Sequence, residues 1–412
     1  MKRFTATAIL FLLAFQCLRA QEPFSAKFQE KTLRVDYVFS GNDRTSRVHV
    51  DELRSLEGWA GRRVNMDRVL LKGNGQVEMR DSGSGELLYV NSFSTLFQEW
   101  QATEEATKVD KAFENVFLFP MPKSPVEITV RLFDFKGGLA CSFTHPVDPE
   151  DMLIRPAGGP DVKYSYLHRG GSGEKCIDVV VVAEGYARKE TGAFMKHARE
   201  AVDAIFSHEP FGSMKDRFNF IAVPLVSEDS GVSVPRKNIW KNTPLGSNFD
   251  TFYTERYLTT SRLRKMHDAL AGIPYEHIIV LANTEIYGGG GIFNSYTLTT
   301  ARHAGFRPVV VHEFGHSFAG LADEYFYDDQ FVEYYYPEVE PWERNITTKA
   351  DFASKWESMM GCEGVGLFEG GGYQSKGVWR PAIDCRMHTN KAKAFCPVCQ
   401  RAISRIIEFN TL

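Results

Sequence analysis

Beyond its first 20 residues the chain has no apolar run of about 20 residues, so nothing there reads as a membrane-spanning helix. A basic excess is also missing: 48 Lys and Arg stand against 52 Asp and Glu in 412 residues, a formal net charge of −4. That balance offers no electrostatic grip on nucleic acid or anionic membranes. There is no internal repeat and no low-complexity tract, which excludes solenoids and arrays. No Gly-Lys-Ser/Thr follows Gly288-Gly289-Gly290-Gly291, which sets aside a nucleotide-cradling loop. Cysteine is sparse. Apart from Cys17 the chain has Cys141, Cys176, Cys362, Cys385, Cys396 and Cys399. An even count in an exported chain favours disulfides. The alternative is a structural zinc site from Cys396-Pro397-Val398-Cys399 with Cys385 and Cys362. The presence of one CxxC unit rather than two weighs against it.

What is present begins at the N-terminus. Lys2 and Arg3, an apolar stretch through Phe15 and then Arg19-Ala20-Gln21 follow the order of a secretory signal peptide, with cleavage after Ala20. Cys17 opens a lipoprotein alternative, but Ala14-Phe15-Gln16 is a poor lipobox. Export to the periplasm or the medium is the expectation. Removing residues 1–20 takes away Lys2, Arg3 and Arg19 and no acid, so the charge moves from −4 to −7. About 390 residues remain, enough for two domains with separate cores.

From Lys31 to about Phe135, segments of alternating polarity recur between turns: Leu33-Val35-Tyr37-Phe39, Val77-Met79, Leu87-Tyr89 and Val126-Ile128-Val130-Leu132. Gly73-Asn74-Gly75 and Asp81-Ser82-Gly83-Ser84-Gly85 supply turn chemistry. This predicts an all-β sandwich over 21–155, of accessory or packing role. The breaker-rich Arg155-Pro156-Ala157-Gly158-Gly159-Pro160 and Arg169-Gly170-Gly171 mark a boundary. An α/β domain over 165–412 is expected after it. Strands are predicted at 177–183, 218–223 and 277–282, with helices near 189–206 and 261–270. Ile292 to Leu298 reads as one strand after a glycine turn, and at a sheet edge it would be able to pair with an extended peptide.

The chemistry lies in Val309-Val310-Val311-His312-Glu313-Phe314-Gly315-His316-Ser317-Phe318-Ala319-Gly320-Leu321-Ala322-Asp323-Glu324-Tyr325. This is an HExxH motif on a helix-compatible stretch that opens with Pro308 and stops at Gly320. Four residues advance a helix by about 400°, so His312 and His316 share a face and can hold one metal ion. Glu313 points about 100° away, where it can hold a water beside the ion and act as general base. A catalytic zinc needs a third protein ligand. Asp323 is the first choice, Glu324 the alternative, and the Tyr325 phenol a more distant one.

These residues carry a resemblance. The run from His312 to Tyr325, with Val182-Ala183-Glu184-Gly185-Tyr186, Gly370-Gly371-Gly372-Tyr373, Gly377-Val378-Trp379-Arg380-Pro381 and Cys385-Arg386-Met387, resembles the IgA-peptidase family of bacterial secreted metallopeptidases. The resemblance covers about residues 165 to 400, and the β domain resembles the one often found ahead of that catalytic domain. It implies a metzincin-like zinc site resting on a methionine, which Met387 matches by motif and Met359 and Met360 match less well. The usual metzincin spacing places glycine three and the third ligand six residues after the second histidine. Here Gly320 is four on and Asp323 seven on. Tyr373 and Tyr325 are candidate oxyanion donors, and Arg380 is a candidate carboxylate anchor.

The sequence thus reads as a two-domain exported protein: an N-terminal all-β sandwich followed by an α/β, metzincin-like zinc metallopeptidase domain. Zn2+ is held by His312, His316 and Asp323, Glu313 is catalytic, and the substrate is a protein or peptide. Two other readings keep the same residues: a surface glycan- or protein-binding protein with a vestigial zinc domain, and an amidase of cell-wall peptides. No motif sets an oligomeric state.

Overall fold

Leu33, Val35, Tyr37 and Phe39 alternate along one strand and are all fully buried. The computed structural model describes residues 23–158, 163–328 and 334–412, so the signal-peptide expectation lies outside the described residues. In the N-terminal domain a four-stranded sheet runs in the order Lys111–Pro122, Phe28–Gly41, Ser46–Glu57, Arg155–Pro156. A second sheet runs Leu87–Phe93, Gly75–Asp81, Val126–Phe133, Leu139–Val147. Val77, Met79, Ile128 and Val130 of the second sheet share one core with Leu33, Val35, Tyr37 and Phe39 of the first. Burial of alternate side chains between two sheets is what period-two patterning produces.

Alternation ordinarily leaves the other face of such a strand in water. Here Arg34 and Asp36, on that other face, are also fully buried. Arg34 Nε and Nη2 donate to the two oxygens of Asp36 at 2.7 and 2.8 Å. Its Nη1 donates to Asp268 Oδ1 at 2.7 Å, as does Arg54 Nη1 at 2.8 Å. Asp268 belongs to the helix Leu263–Ala269 of the following domain. The outer face of the first sheet is therefore an interdomain surface, closed by a forked arginine–carboxylate cluster.

The C-terminal domain is built on a six-stranded sheet in the order Gly289–Ile292, Tyr296–Thr300, His277–Ala282, Ile177–Glu184, Phe218–Val223, Ser165–Arg169. Its four inner strands are parallel, and the two edge strands run antiparallel. Every residue of the inner four is buried, as parallel strands covered on both faces require. The helix Thr191–Phe206 buries Phe194, Ala198, Ala201, Val202 and Ile205 along one stripe. It packs on the central helix Phe306–Ala319, which also contacts the last helix, Pro397–Thr411. A small sheet of Phe326–Tyr327, Tyr373–Arg380 and Phe368–Gly371 lies beyond. No helix among the described residues is long and apolar enough to cross a membrane.

One element differs from its sequence reading. Ile292 to Leu298 is not one strand: Gly289–Ile292 pairs antiparallel with Tyr296–Thr300, and the chain reverses between them. Asn294 there has a φ of +51°, a left-handed conformation that asparagine tolerates. The glycines themselves form the edge strand because the central helix passes so close. A Cβ at Gly291 would stand 2.2 Å from the Glu313 carbonyl oxygen.

Arg34→Ala would leave Asp36 buried without its partner. Such a loss is expected to cost about 3–5 kcal/mol in chemical denaturation. A change under about 1 kcal/mol would show that the domain contact does not depend on the pair.

Candidate metal centre

The central helix takes Pro308 in its first turn and ends at Gly320, φ +57°, whose N–H returns to the carbonyls of Gly315 and His316. A Cβ at Gly320 would sit 2.6 Å from Trp342. The left-handed turn carries the chain back past the histidine face, so that Asp323 arrives opposite the rings. His312 Nε2 and His316 Nε2 are 3.0 Å apart. Asp323 Oδ1 lies 3.0 Å from the first and 3.1 Å from the second.

Both imidazoles are turned by main-chain carbonyls. His312 Nδ1 is 2.9 Å from the Arg386 carbonyl oxygen, and His316 Nδ1 is 2.6 Å from that of Leu321. With each Nδ1–H donated outward, both Nε2 lone pairs face Asp323. Three acceptors then converge without a donor between them, which is repulsive unless a cation joins them. This donor set and spacing fit a metal ion held by His312, His316 and Asp323.

The charges agree with that reading. Burial disfavours ionisation of every group here. Against burial, Asp323 raises His316 to about 9 and lifts His312, and the two imidazoles hold Asp323 below the usual carboxylate range. Without a cation, protons have to take its place.

Glu313 has a different position. Its donor atom lies within 4.8 Å of those of His312 and His316, farther than that of Asp323, and its carboxylate abuts the edge strand. A Cβ at Gly289 would come within 2.8 Å of Glu313 Oε1. Burial pushes its carboxyl up, opposed by the two imidazoles. The strand edge there is partly taken, since the Gly289 N–H donates to the Arg256 carbonyl at 3.3 Å. A carboxylate beside the two imidazoles is placed to exchange protons there.

The surroundings hold these four residues still. Met387 is fully buried, and a Cβ on Gly315 would come within 2.8 Å of its sulfur. Met360 is exposed. Arg386 Nε and Nη2 each lie 3.1 Å from His208 Nε2, and Nη1 donates to the Asn390 carbonyl, which fixes the turn whose carbonyl orients His312. Glu184 of the Val182–Tyr186 run accepts from Thr243, Leu245 and Ser247, so its part is to anchor that loop. Arg380 donates to the carbonyls of Glu369 and Gly370, holding a loop rather than facing the cleft with its charge.

Two sequence candidates turn elsewhere. Glu324, adjacent to Asp323, faces away from the imidazoles: its Oε1 accepts from Asn345 Nδ2 at 3.0 Å and lies 3.1 Å from Cys399 Sγ. The Tyr373 hydroxyl donates to Asp323 Oδ2 and so holds that carboxylate, instead of standing free for an oxyanion. Tyr373 holds a φ of +67°, uncommon for a bulky residue, and its ring lies 5.3 Å from that of Tyr325. The expected disulfides are absent: the six described cysteines are unpaired.

Sequence reasoning missed the N-terminal side of the cleft. A cavity of about 1100 Å³ surrounds the site, and Asn74, Ser94, Glu99 and Phe133 of the N-terminal domain line it. Glu99 is pushed up to about 7 by burial, even though Tyr257 donates a hydrogen bond to it. It sits in an ordinary short helix, Leu96–Gln101, and no motif singles it out.

Tyr373→Phe removes the donor to Asp323 Oδ2. Metal affinity, read by chelator competition, is expected to fall about 10–100-fold, as with other ligand-supporting hydrogen bonds. Unchanged affinity would show that the hydroxyl does not hold Asp323.

Compared with known families, residues 166–364 and 360–407 match the model described as IgA Peptidase M64, and residues 23–144 match that of the Peptidase M64 N-terminus. No curated protein matches the chain.

Proposed function

This chain belongs to the IgA Peptidase M64 family, a family of metallopeptidases, and on that premise we propose that it is a secreted zinc-dependent endopeptidase with Glu313 as general base. The observation that carries this reading is the convergence of His312 Nε2, His316 Nε2 and Asp323 Oδ1 next to a carboxylate at a strand edge. His312, His316 and Asp323 would hold zinc, which when bound polarises a carbonyl and acidifies water. Two neutral imidazoles and one carboxylate leave such a site at net +1.

Each residue then has a definite task. Beyond Gly289, whose N–H the Arg256 carbonyl already takes, main-chain groups of the edge strand pair with an extended substrate and set the scissile carbonyl beside the imidazoles. Glu313 takes a proton from the attacking water and later gives it to the leaving amine nitrogen. Tyr373 keeps the Asp323 carboxylate aligned. Met387 beneath Gly315 supports the resemblance to metzincins read from the sequence, as does the mixed sheet with its antiparallel edge strand over the helix. The order of charged, apolar and small residues in 1–20 supports export, with Gln21 as the first residue of the mature chain.

Glu313→Ala is expected to retain its metal and to lose about 10²–10⁴-fold in turnover of an unstructured protein. Chelation of the wild type should abolish turnover, and added zinc should restore it. A Glu313→Ala variant as fast as wild type would refute the mechanism. Cleavage of muropeptides with none of proteins would point to the amidase reading.

A further inference from the structure

Cys385, Cys396, Cys399 and Glu324 meet in the core, three of them fully buried and Cys396 5 % exposed. One ligand atom from each lies within 4.8 Å of all the others. They come from three separate segments: the loop after the central helix, the turn carrying Met387, and the start of the last helix. Cys396 is the N-cap of Pro397–Thr411 and Cys399 lies in its first turn.

The spacing separates the possibilities for this cluster. Cys385 Sγ and Cys399 Sγ are 3.8 Å apart. A disulfide needs about 2.05 Å. Sulfurs at about 2.3 Å from a tetrahedral zinc stand about 3.8 Å from each other. The Cys396 N–H points at Cys385 Sγ, 3.2 Å away, a hydrogen bond that favours a thiolate there. A second observation is independent of the sulfurs: Glu324 Oε2 is buried with no hydrogen-bond partner. An orphaned carboxylate oxygen beside three thiols is costly in an apolar core unless a cation takes it up.

We propose that Cys385, Cys396, Cys399 and Glu324 form a second, structural zinc site, separate from the His312 centre. Three thiolates and one carboxylate around a divalent ion carry a net charge of −2. The buried guanidiniums of Arg380 and Arg386 lie within electrostatic reach of Glu324 and Cys385 respectively and offset that charge. Soft sulfur ligands in a closed four-coordinate set select zinc over magnesium or calcium.

The site has a mechanical consequence. Glu324 follows Asp323, and its N–H donates to the Met387 carbonyl at 2.8 Å. Cys385 precedes Arg386, whose carbonyl orients His312. An ion on the cysteines therefore ties together the segments that place Asp323, Met387 and the His312 ring. It acts on the first centre by position, without touching substrate.

The test uses the full exported chain purified without chelator, in three forms: wild type, His312→Ala with His316→Ala, and Cys396→Ser with Cys399→Ser. Zinc is measured by elemental mass spectrometry, and the cobalt-exchanged proteins by near-ultraviolet absorption. The histidine variant should keep about one zinc per chain. Its cobalt form should show thiolate-to-cobalt charge transfer, which an imidazole–carboxylate site does not give. The cysteine variant should lose that band and unfold at a lower temperature. Should it fail to fold, the histidine variant still decides the matter. A metal-free histidine variant, cobalt bound without the thiolate band, or a disulfide between any two of the three cysteines in peptide mapping would each overturn the proposal. If wild type instead holds a single zinc with the thiolate band, the second site stands and the zinc reading of the His312 centre fails.

Discussion

Three hydrogen-bond acceptors pointed at one another are the constraint on which the rest of this domain depends. Two imidazole nitrogens and a carboxylate oxygen at 3.0–3.1 Å repel unless positive charge sits among them. The surrounding protein is arranged so that they cannot turn away. The Arg386 and Leu321 carbonyls fix the rings, and the Tyr373 hydroxyl fixes the carboxylate. Gly315 lets Met387 come up against the helix, and Gly289 and Gly291 let the edge strand lie against Glu313. Each of these supports removes a conformation in which the repulsion would relax. That is preorganisation for a cation.

The N-terminal domain enters the same arrangement from the other side. Its first strand buries an apolar face against its own second sheet and a charged face against the following domain. The Ser94 N–H donating to the Phe293 carbonyl at 3.0 Å, Trp342 Nε1 donating to Asn74 Oδ1 at 2.7 Å and the Tyr257 hydroxyl donating to Glu99 hold this domain's residues beside the cleft. The domain is therefore a wall of the site as well as a packing partner. The composition of this half, turn-rich and lacking any ligand cluster, held no sign of that role.

Much of the fold was legible because it rests on local periodicity. The apolar runs at 177–183, 218–223 and 277–282 are long enough to mark buried strands, and the stripe through Thr191–Phe206 marks a helix. Gly288–Gly291 misled for a physical reason: glycine runs ordinarily signal a loop, whereas here the absence of Cβ atoms is what the close helix demands. The cysteines misled for a similar reason. Their even number suggested pairs, yet three of them gather with Glu324 around one point in the core.

The sequence by itself determined what a helix can determine: His312 and His316 on one face, Glu313 beside them, Pro308 opening the helix and Gly320 ending it. Those relations follow from 3.6 residues per turn and need no other part of the chain. Only the tertiary structure decided between Asp323 and Glu324 as neighbours of the imidazoles, since consecutive side chains leave an extended segment on opposite sides. The register of that segment comes from the Met387 carbonyl, the Gly372 N–H and Asn345, which hold residues 322–324 from 21 to 63 positions away in the chain. Contacts that distant leave no periodic trace in the sequence, so folding had to bring them together before the site had a third side.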